Sequence, residues 1–255
     1  MSARHTRYLL VERAHPDAAV IAEAAALLRD GGLVAFPTET VYGLGAHALD
    51  AKAVAGIFAA KGRPATDPLI VHIATARGLD ALARDVSSDA RALAERFWPG
   101  PLTLVVAKRS EVPGVVTAGL DTVAVRVPAH PVAAALLHAA GVPVAAPSAN
   151  TFSRPSPTSA AHVLADLDGR VDLVLDGGDA DIGVESTIVD CTVTPPTVRR
   201  AGGVPFELLM EVVPTLQVND AVAPTGVAQV APGQLLRHSA ITLEIDDWFG
   251  AAPRV

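Results

Sequence analysis

Short apolar runs interrupt the helical patterning of this chain at irregular intervals, and their order constrains the fold more than any single motif. Leu33-Val34-Ala35-Phe36, Leu69-Ile70-Val71-His72-Ile73, Leu102-Thr103-Leu104-Val105-Val106 and Thr122-Val123-Ala124-Val125-Arg126-Val127 have the length and β-branched content of strands. So do residues 142–145, 173–175, 187–189 and 197–200. Helical patterns lie between them. One opens at Pro16-Asp17 and is stopped by Gly31-Gly32; a second is capped by Asp50 and runs to about Ala60, with Gly62 just past its end. Residues 77–97 are mostly helical, in one piece or two. Further helices are expected over 131–140, from Ser156-Pro157 onward, and over 205–212. Strands and helices do not alternate strictly, so the pattern predicts an α/β fold with a twisted mixed sheet and flanking helices.

Half of the 255 residues are hydrophobic, enough for a substantial core. The texture changes after about Pro214, where Pro224, Gly226, Pro232 and Gly233 fall in a stretch with little apolar period. Residues 1–212 are therefore expected to form one domain, and 213–255 a linker or C-terminal arm. The formal net charge of −7 argues against broad nonspecific nucleic-acid binding and leaves room for a local basic cleft. Cys191 is the sole cysteine, which excludes an internal disulfide and a cysteine-based zinc cluster. The N-terminus has no signal-peptide progression. The most apolar stretch, 132–149, is broken by His138, Gly141, Pro143 and Pro147 and reads as helix, turn and strand. A cytoplasmic protein without membrane association is expected. No internal repeat is visible.

Two hydrophilic segments are hemmed in by apolar sequence: Lys61-Gly62-Arg63 and Ser148-Ala149-Asn150. Fixed cations and small hydrogen-bonding side chains at the mouths of buried elements suggest an anion site suited to polyphosphate. Lys61 and Arg63 also fit a solvated helix end, where cations favour the negative end of the dipole. Thr38, Glu39 and Thr40 sit on a turn after a strand. His72 lies in an otherwise apolar strand, either as a satisfied core residue or facing a site. Thr122 and Arg126, four apart on one strand, share a face. A buried arginine needs an anionic partner, which is Glu39, Asp121 or a substrate carboxylate held bidentately. Ser156 is a helix cap or a phosphate contact. Glu185-Ser186-Thr187 follows Gly177, Gly178 and Gly183, so the backbone there can approach a ligand. Arg199-Arg200 precedes Gly202-Gly203 at a strand end. Gly43-Leu44-Gly45-Ala46-His47-Ala48 has the form G-x-G-x-x-A but lacks the strand-to-helix context of a dinucleotide site. No P-loop motif occurs.

Taken in order, several segments resemble the YrdC family, the L-threonylcarbamoyladenylate synthases. They are residues 37–44, Lys61-Gly62-Arg63-Pro64, Pro68-Leu69-Ile70-Val71-His72-Ile73, Trp98-Pro99-Gly100-Pro101-Leu102-Thr103, Thr122 to Arg126, Pro147-Ser148-Ala149-Asn150, and Glu185-Ser186-Thr187-Ile188-Val189-Asp190. The match covers about residues 15–212. The resemblance implies a YrdC-like sheet with a deep, positively lined concave face. It also implies a reaction: L-threonine, bicarbonate and ATP give threonylcarbamoyl-AMP and pyrophosphate, with Mg²⁺ accompanying ATP. The product passes to a separate transferase that modifies adenosine 37 of tRNA, with weak or no direct tRNA binding here. Carried over by position, Thr38, His72, Arg126 and Ser186 bind threonine. Lys61, Arg63, Thr122, Ser148, Asn150, Ser156 and Arg200 bind ATP, with Lys61 and Arg63 the catalytic cations. Asp67 lines the same region, although many relatives carry asparagine there and an aspartate beside triphosphate repels it unless Mg²⁺ intervenes.

Residues 231–239 resemble the S-P-G-M-x-x-R-H-Y linker of the longer family branch, departing from it at Ala231, Gln234 and Ser239. The expectation is a long-branch member with the linker and without the C-terminal Rossmann-like domain, in which Arg237 and His238 form a partial lid; a loose tail is the alternative. Two other functions fit less well. A double-stranded-RNA or ribosome-maturation module of the same fold is opposed by the net charge. A hydrogenase-maturation carbamoyltransferase is opposed by the missing zinc-binding and acylphosphatase segments.

Overall fold

The computed structural model describes residues 5–218, 223–224 and 236–237. The chain opens with β1 (Arg7–Leu10), α1 (Ala18–Arg29), β2 (Val34–Pro37), β3 (Tyr42–His47), α2 (Ala51–Lys61) and β4 (Ile70–His72). A 3₁₀ turn (Ala76–Gly78) leads into α3 (Leu79–Leu82) and α4 (Ser88–Phe97), then β5 (Leu102–Ala107) and β6 (Thr122–Arg126). Next come α5 (Pro131–Ala140), β7 (Val144–Ala145), α6 (Ala160–Leu167), β8 (Leu173–Asp176), β9 (Thr187–Asp190), β10 (Thr197–Arg200) and α7 (Phe206–Val212). β11 (Gln217–Val218) ends the main sheet, and β12 (Ala223–Pro224) pairs with β13 (Leu236–Arg237).

The main sheet has the order β1-β8-β2-β3-β7-β4-β6-β5-β9-β10-β11. Pairing is mixed: β2 with β8, β4 with β6 and β5 with β9 are parallel, whereas β2 with β3, β5 with β6 and β9 with β10 are antiparallel. The mixed α/β sheet predicted from irregular alternation is present. Among the described residues, no helix is long and apolar enough to cross a membrane.

Period-two alternation separates two cores. In β2, Val34 and Phe36 join a cluster with α1 and α5, while Ala35 points to the opposite cluster; β8 does the same with Leu173 and Leu175 against Val174. Small residues at the α1 and α5 contact, Ala24, Ala25 and Ala133, are fully buried. On the other face, α2, α3, α4, α6 and α7 cover the length of the sheet with residues such as Ile57, Leu82, Leu93, Val163 and Leu209. A third cluster, Ile70, Val105, Ala124 and Ile188, consists only of strand residues. It lies on the face of α1 and α5, because register sets Ile70 beside Ala124, Ala124 beside Val105, and His72 beside Val144. Those two helices cover only half of that face. The other half is left as a strand-floored hollow.

Caps follow the sequence pattern. Asp17 and Asp50 accept backbone N–H bonds at the starts of α1 and α2. Gly62 takes the left-handed conformation after Lys61, at φ 64°, where most side chains are strained.

Three expectations are corrected. The helix expected from Ser156-Pro157 begins at Ala160, capped by Ser159, because the carbonyl of Pro157 accepts the N–H of Tyr42 at the start of β3. The segment 42–47 is a strand that its glycines hide from pattern reading: Phe36 occupies the space beside Gly43 and Gly45. The boundary at 212 falls too early, since Val213 and Leu216 are buried and β11 pairs with β10. The proposed lid falls on the tail. His238 lies outside the described residues, and of Arg237 only the backbone in β13 is described.

Gly202 sets the path of the segment before β9. A Cβ there would lie 2.3 Å from the carbonyl oxygen of Glu185 and 2.6 Å from the nitrogen of Thr187. Both are backbone atoms, so neither can swing aside. Gly202→Ala is expected to destabilise the fold by about 1–3 kcal/mol, as overpacking does. The shift in urea midpoint checks this, and an unchanged midpoint would show that residues 185–187 yield freely.

Candidate active site

The strand-floored hollow is a cavity of about 530 Å³, counting its open mouth. Ile70, His72 and Arg126 form its floor, the turn carrying Thr38 and Thr40 one wall, and Arg63, Ser148, Glu185 and Arg200 others. The sheet brings these distant segments together. β4 and β6 are neighbours, so His72 and Arg126 are register partners, and an isolated bridge joins Gly43 to Ser148.

Arg126 is 3 % exposed and anchored at three points. Its Nε donates to the carbonyl of Gly100 at 3.2 Å, Nη1 to Thr40 Oγ1 at 2.9 Å and Nη2 to Glu39 Oε1 at 2.6 Å. Glu39 Oε2 in turn accepts from the N–H of Ala129 at 3.0 Å. Glu39 is thus the anionic partner that a buried arginine requires. Thr40 Oγ1 lies 2.9 Å from Thr38 Oγ1, and the Thr38 hydroxyl donates to the carbonyl of Val41 at 2.6 Å. Two of the five guanidinium N–H groups of Arg126 are left without a partner among the described residues.

His72 is 3 % exposed, and its Nδ1 has no hydrogen-bond partner among the described residues. Burial, reinforced by the charge of Arg126, pulls its pKa down to about 3. A neutral imidazole therefore sits beside a guanidinium at any physiological pH.

At the other end, Arg63 pairs with Asp67 at 2.7 Å and donates to the carbonyl of Pro68 at 3.0 Å. Arg200 donates to the carbonyl of Ser186 at 3.0 Å and to Ser186 Oγ at 3.1 Å, and lies 3.7 Å from Glu185 Oε2. Burial holds both guanidinium groups below their usual pKa. Ser156 donates to Glu185 Oε1 at 2.7 Å.

Lys61 differs from the expectation of a cation facing ligand or solvent. It is 1 % exposed. Its ammonium donates to the carbonyls of Ser148 and Asn150, the latter at 2.5 Å, and reaches Asn150 Oδ1 at 3.3 Å. The Asn150 amide completes the turn through the carbonyls of Thr151 and Arg154 at 2.9 and 2.7 Å. Lys61 thus holds the 148–150 segment from behind. Burial, and next the charge of Arg63, pulls its pKa down to about 7.

Of the residues singled out from sequence, Thr38, Arg63, His72, Arg126, Ser148 and Arg200 stand on the cavity wall. Lys61, Asp67, Asn150 and Ser186 are buried behind it and brace those that do. Ser186 is 0 % exposed, with Oγ fixed between Thr103 at 2.8 Å and Arg200. Thr122 starts β6, four residues from Arg126, about 13 Å along the strand. Sequence reasoning did not assign Thr40 and Glu185 to the wall. The threonine–glutamate–threonine turn carried the signal for Thr40, since a buried arginine calls for several acceptors at once.

A mixed α/β sheet thus gathers guanidinium groups, a neutral imidazole and backbone-pinned loops around one cavity. The Sua5_yciO_yrdC family model, described as "Telomere recombination", matches residues 26–202. The chain belongs to this family. It is 52 % identical over 223 residues to a protein of Pyrococcus abyssi (strain GE5 / Orsay) called threonylcarbamoyl-AMP synthase, covering 87 % of this chain and 66 % of that protein. It is 46 % identical over 236 residues to the threonylcarbamoyl-AMP synthase of Bacillus subtilis (strain 168), covering 92 % and 68 %. The crystal structure of P. abyssi Sua5 complexed with L-threonine superposes with a TM-score of 0.87 at 50 % identity, over 91 % of this chain and 68 % of that one. The chain thus spans about two thirds of the length of these relatives.

Lys61 makes stability depend on pH with a definite sign. Its pKa is about 7 in the folded chain against 10.5 ordinarily, so between those values the unfolded chain holds a proton that the folded chain has released. Stability then rises with pH over that window and is lost as pH falls through 7. Urea denaturation at about pH 7 and about pH 9 should show a larger gain for the wild type than for Lys61→Met. Equal gains would mean that the ammonium stays fully charged in its carbonyl cage.

Proposed function

We propose that this chain is an L-threonylcarbamoyladenylate synthase, converting L-threonine, bicarbonate and ATP into threonylcarbamoyl-AMP, pyrophosphate and water. The observation that carries this reading is the division of the cavity into two charge environments. At one end Arg126 is neutralised by Glu39 and stands beside a neutral imidazole. At the other, Arg63 and Arg200 stand on the wall against Asp67 and Glu185, and Lys61 braces the 148–150 segment from behind. The first suits a zwitterionic amino acid and the second a polyphosphate.

In this reading the two remaining N–H groups of Arg126 hold the threonine carboxylate bidentately. Thr38 lies along the same wall, and Ser186 acts by fixing Arg200. His72, being neutral, accepts a hydrogen bond from the substrate nitrogen and does not repel it as an imidazolium would. The nitrogen, once carboxylated, is a carbamate; one of its oxygens attacks the α-phosphorus of ATP, and pyrophosphate leaves. The nucleophile belongs to the substrate, so no protein side chain becomes covalently bound. The protein's contribution is alignment and the offsetting of negative charge. Arg63 and Arg200 supply that charge, and Lys61 supports it by pinning Ser148 and Asn150 where they meet the nucleotide. Thr122 and Ser156 extend the ATP-binding surface.

Mg²⁺ enters as the ion of MgATP. Asp67 and Glu185 are each engaged with an arginine, and no group of three His, Cys, Asp or Glu side chains among the described residues could cage a metal. These residues do not fit a resident metal, and no step is derived through one. The product goes to a separate tRNA-modifying transferase. Weak or no direct tRNA binding accords with a net charge of −7 and with cations buried in a cavity, since duplex RNA is met by basic groups on an open surface.

Pyrophosphate release should require ATP, bicarbonate and L-threonine together. Release that is indifferent to threonine would overturn the proposal. In the same assay, Arg126→Lys should raise the threonine KM about 10-fold or more, through loss of the two-pronged contact, and change the ATP KM little. An unchanged threonine KM would remove Arg126 from the amino-acid site.

A further inference from the structure

Glu39 is 6 % exposed, is not among the residues that line the cavity, and meets its floor through Arg126. Each of its oxygens has a fixed backbone or side-chain donor: Arg126 Nη2 on Oε1 and the N–H of Ala129 on Oε2. Its main chain is held as well, because its carbonyl accepts the N–H of Ile182 at 2.9 Å, and the next carbonyl, of Thr40, accepts that of Gly183 at 3.0 Å. The carboxylate is therefore a rigid stop behind the guanidinium. With Thr40 and the carbonyl of Gly100 it fixes the plane of Arg126, and so the direction of the two N–H groups that remain.

Glu39 also sets the charge that this end of the cavity presents. Arg126 and Glu39 are both buried and their charges sum to about zero; buried unit charges act strongly on one another. A carboxylate with one negative charge and a neighbouring ammonium fits such a pair. A phosphate with nearly two negative charges meets a guanidinium whose charge the Glu39 carboxylate behind it already offsets. The other end differs in what faces the cavity: two guanidinium groups, Arg63 and Arg200, stand on its wall, with Lys61 bracing the 148–150 segment behind them.

We infer that Glu39 is the positioning residue for Arg126 and the specificity determinant that admits the carboxylate of a zwitterionic amino acid to that end of the cavity and turns phosphate away. This rests on the reading of the Arg126 end as an amino-acid site, and the experiment separates the two.

The test is calorimetric titration of the full chain with L-threonine and, separately, with ATP, for the wild type, Glu39→Gln and Glu39→Asp. Inorganic phosphate is then added as a competitor of threonine. In Glu39→Gln the amide offers one acceptor where two are needed and carries no charge. Threonine affinity should fall about 10-fold or more, ATP affinity should change less than about 3-fold, and phosphate should now displace threonine, which it does not do in the wild type. Unchanged threonine affinity would overturn the inference. So would a parallel loss of threonine and ATP binding, which marks a general structural role, or equal phosphate competition in both proteins. If Glu39→Gln does not fold, Glu39→Asp decides. It keeps the charge and draws the carboxylate back by about one methylene, about 1.5 Å. Weakened threonine binding with phosphate still excluded supports the inference, and wild-type affinity ends it. No threonine binding by the wild type itself would instead sink the amino-acid reading of the site.

Discussion

The site depends on one constraint: a guanidinium buried on the floor of a sheet must be matched in charge and in hydrogen bonds before any ligand arrives. Removing one partner of a buried ion pair typically costs about 3–5 kcal/mol, because the other charge is left uncompensated. Arg126 meets this constraint by drawing in the turn 38–41 through Glu39 and Thr40 and the Trp98–Leu102 corner through Gly100, while Glu39 accepts the N–H of Ala129 ahead of α5. One side chain thereby ties two loops to β6. The turn passes the restraint on to residues 182–183, next to Glu185. The wall at this end of the cavity is thus positioned by the pairing of a single cation.

The same logic explains the opposite end. Lys61 closes α2, and Gly62 turns the chain so that Arg63 enters the cavity while the lysine stays behind it. Adjacent cations of one short motif therefore do different work. One arranges backbone carbonyls, and the other presents charge. Helix geometry separates them, since the left-handed residue reverses the direction in which the following side chain leaves the chain.

Much of this was legible in the sequence, for identifiable reasons. Strands with clear alternation, such as 122–126, and caps such as Asp50 and Gly62 follow local rules that tertiary structure does not override. The shared face of Thr122 and Arg126 came from period-two geometry alone. The strand 42–47 was illegible because Gly43 and Gly45 remove the side chains that mark a face; their emptiness makes sense only once Phe36 is placed beside them. The start of α6 was misplaced because serine before proline looks like a helix start. Here a backbone bond to Tyr42, more than a hundred residues away, claims the carbonyl of Pro157. Burial of Lys61 and Ser186 could not be read either. A hydrophilic motif looks ligand-facing in one dimension, and the sequence does not say from which side its loop is braced.

The uncovered half of the sheet links this architecture to chemistry. A face that lacks helices normally exposes apolar strand residues to water, yet Ile70, Val105, Ala124 and Ile188 are buried. They are shielded by the turns and loops that carry the charged groups. These loops are fixed by hydrogen bonds from buried cations, and burial in turn strengthens those bonds. Under the proposed reaction that coupling matters, since no protein nucleophile takes part and rate must come from holding a carbamate oxygen in line with a phosphorus. Alignment of this kind requires walls that do not rearrange when charge arrives. A cavity whose cations are already paired meets that requirement, because incoming anions find donors whose directions were set by folding.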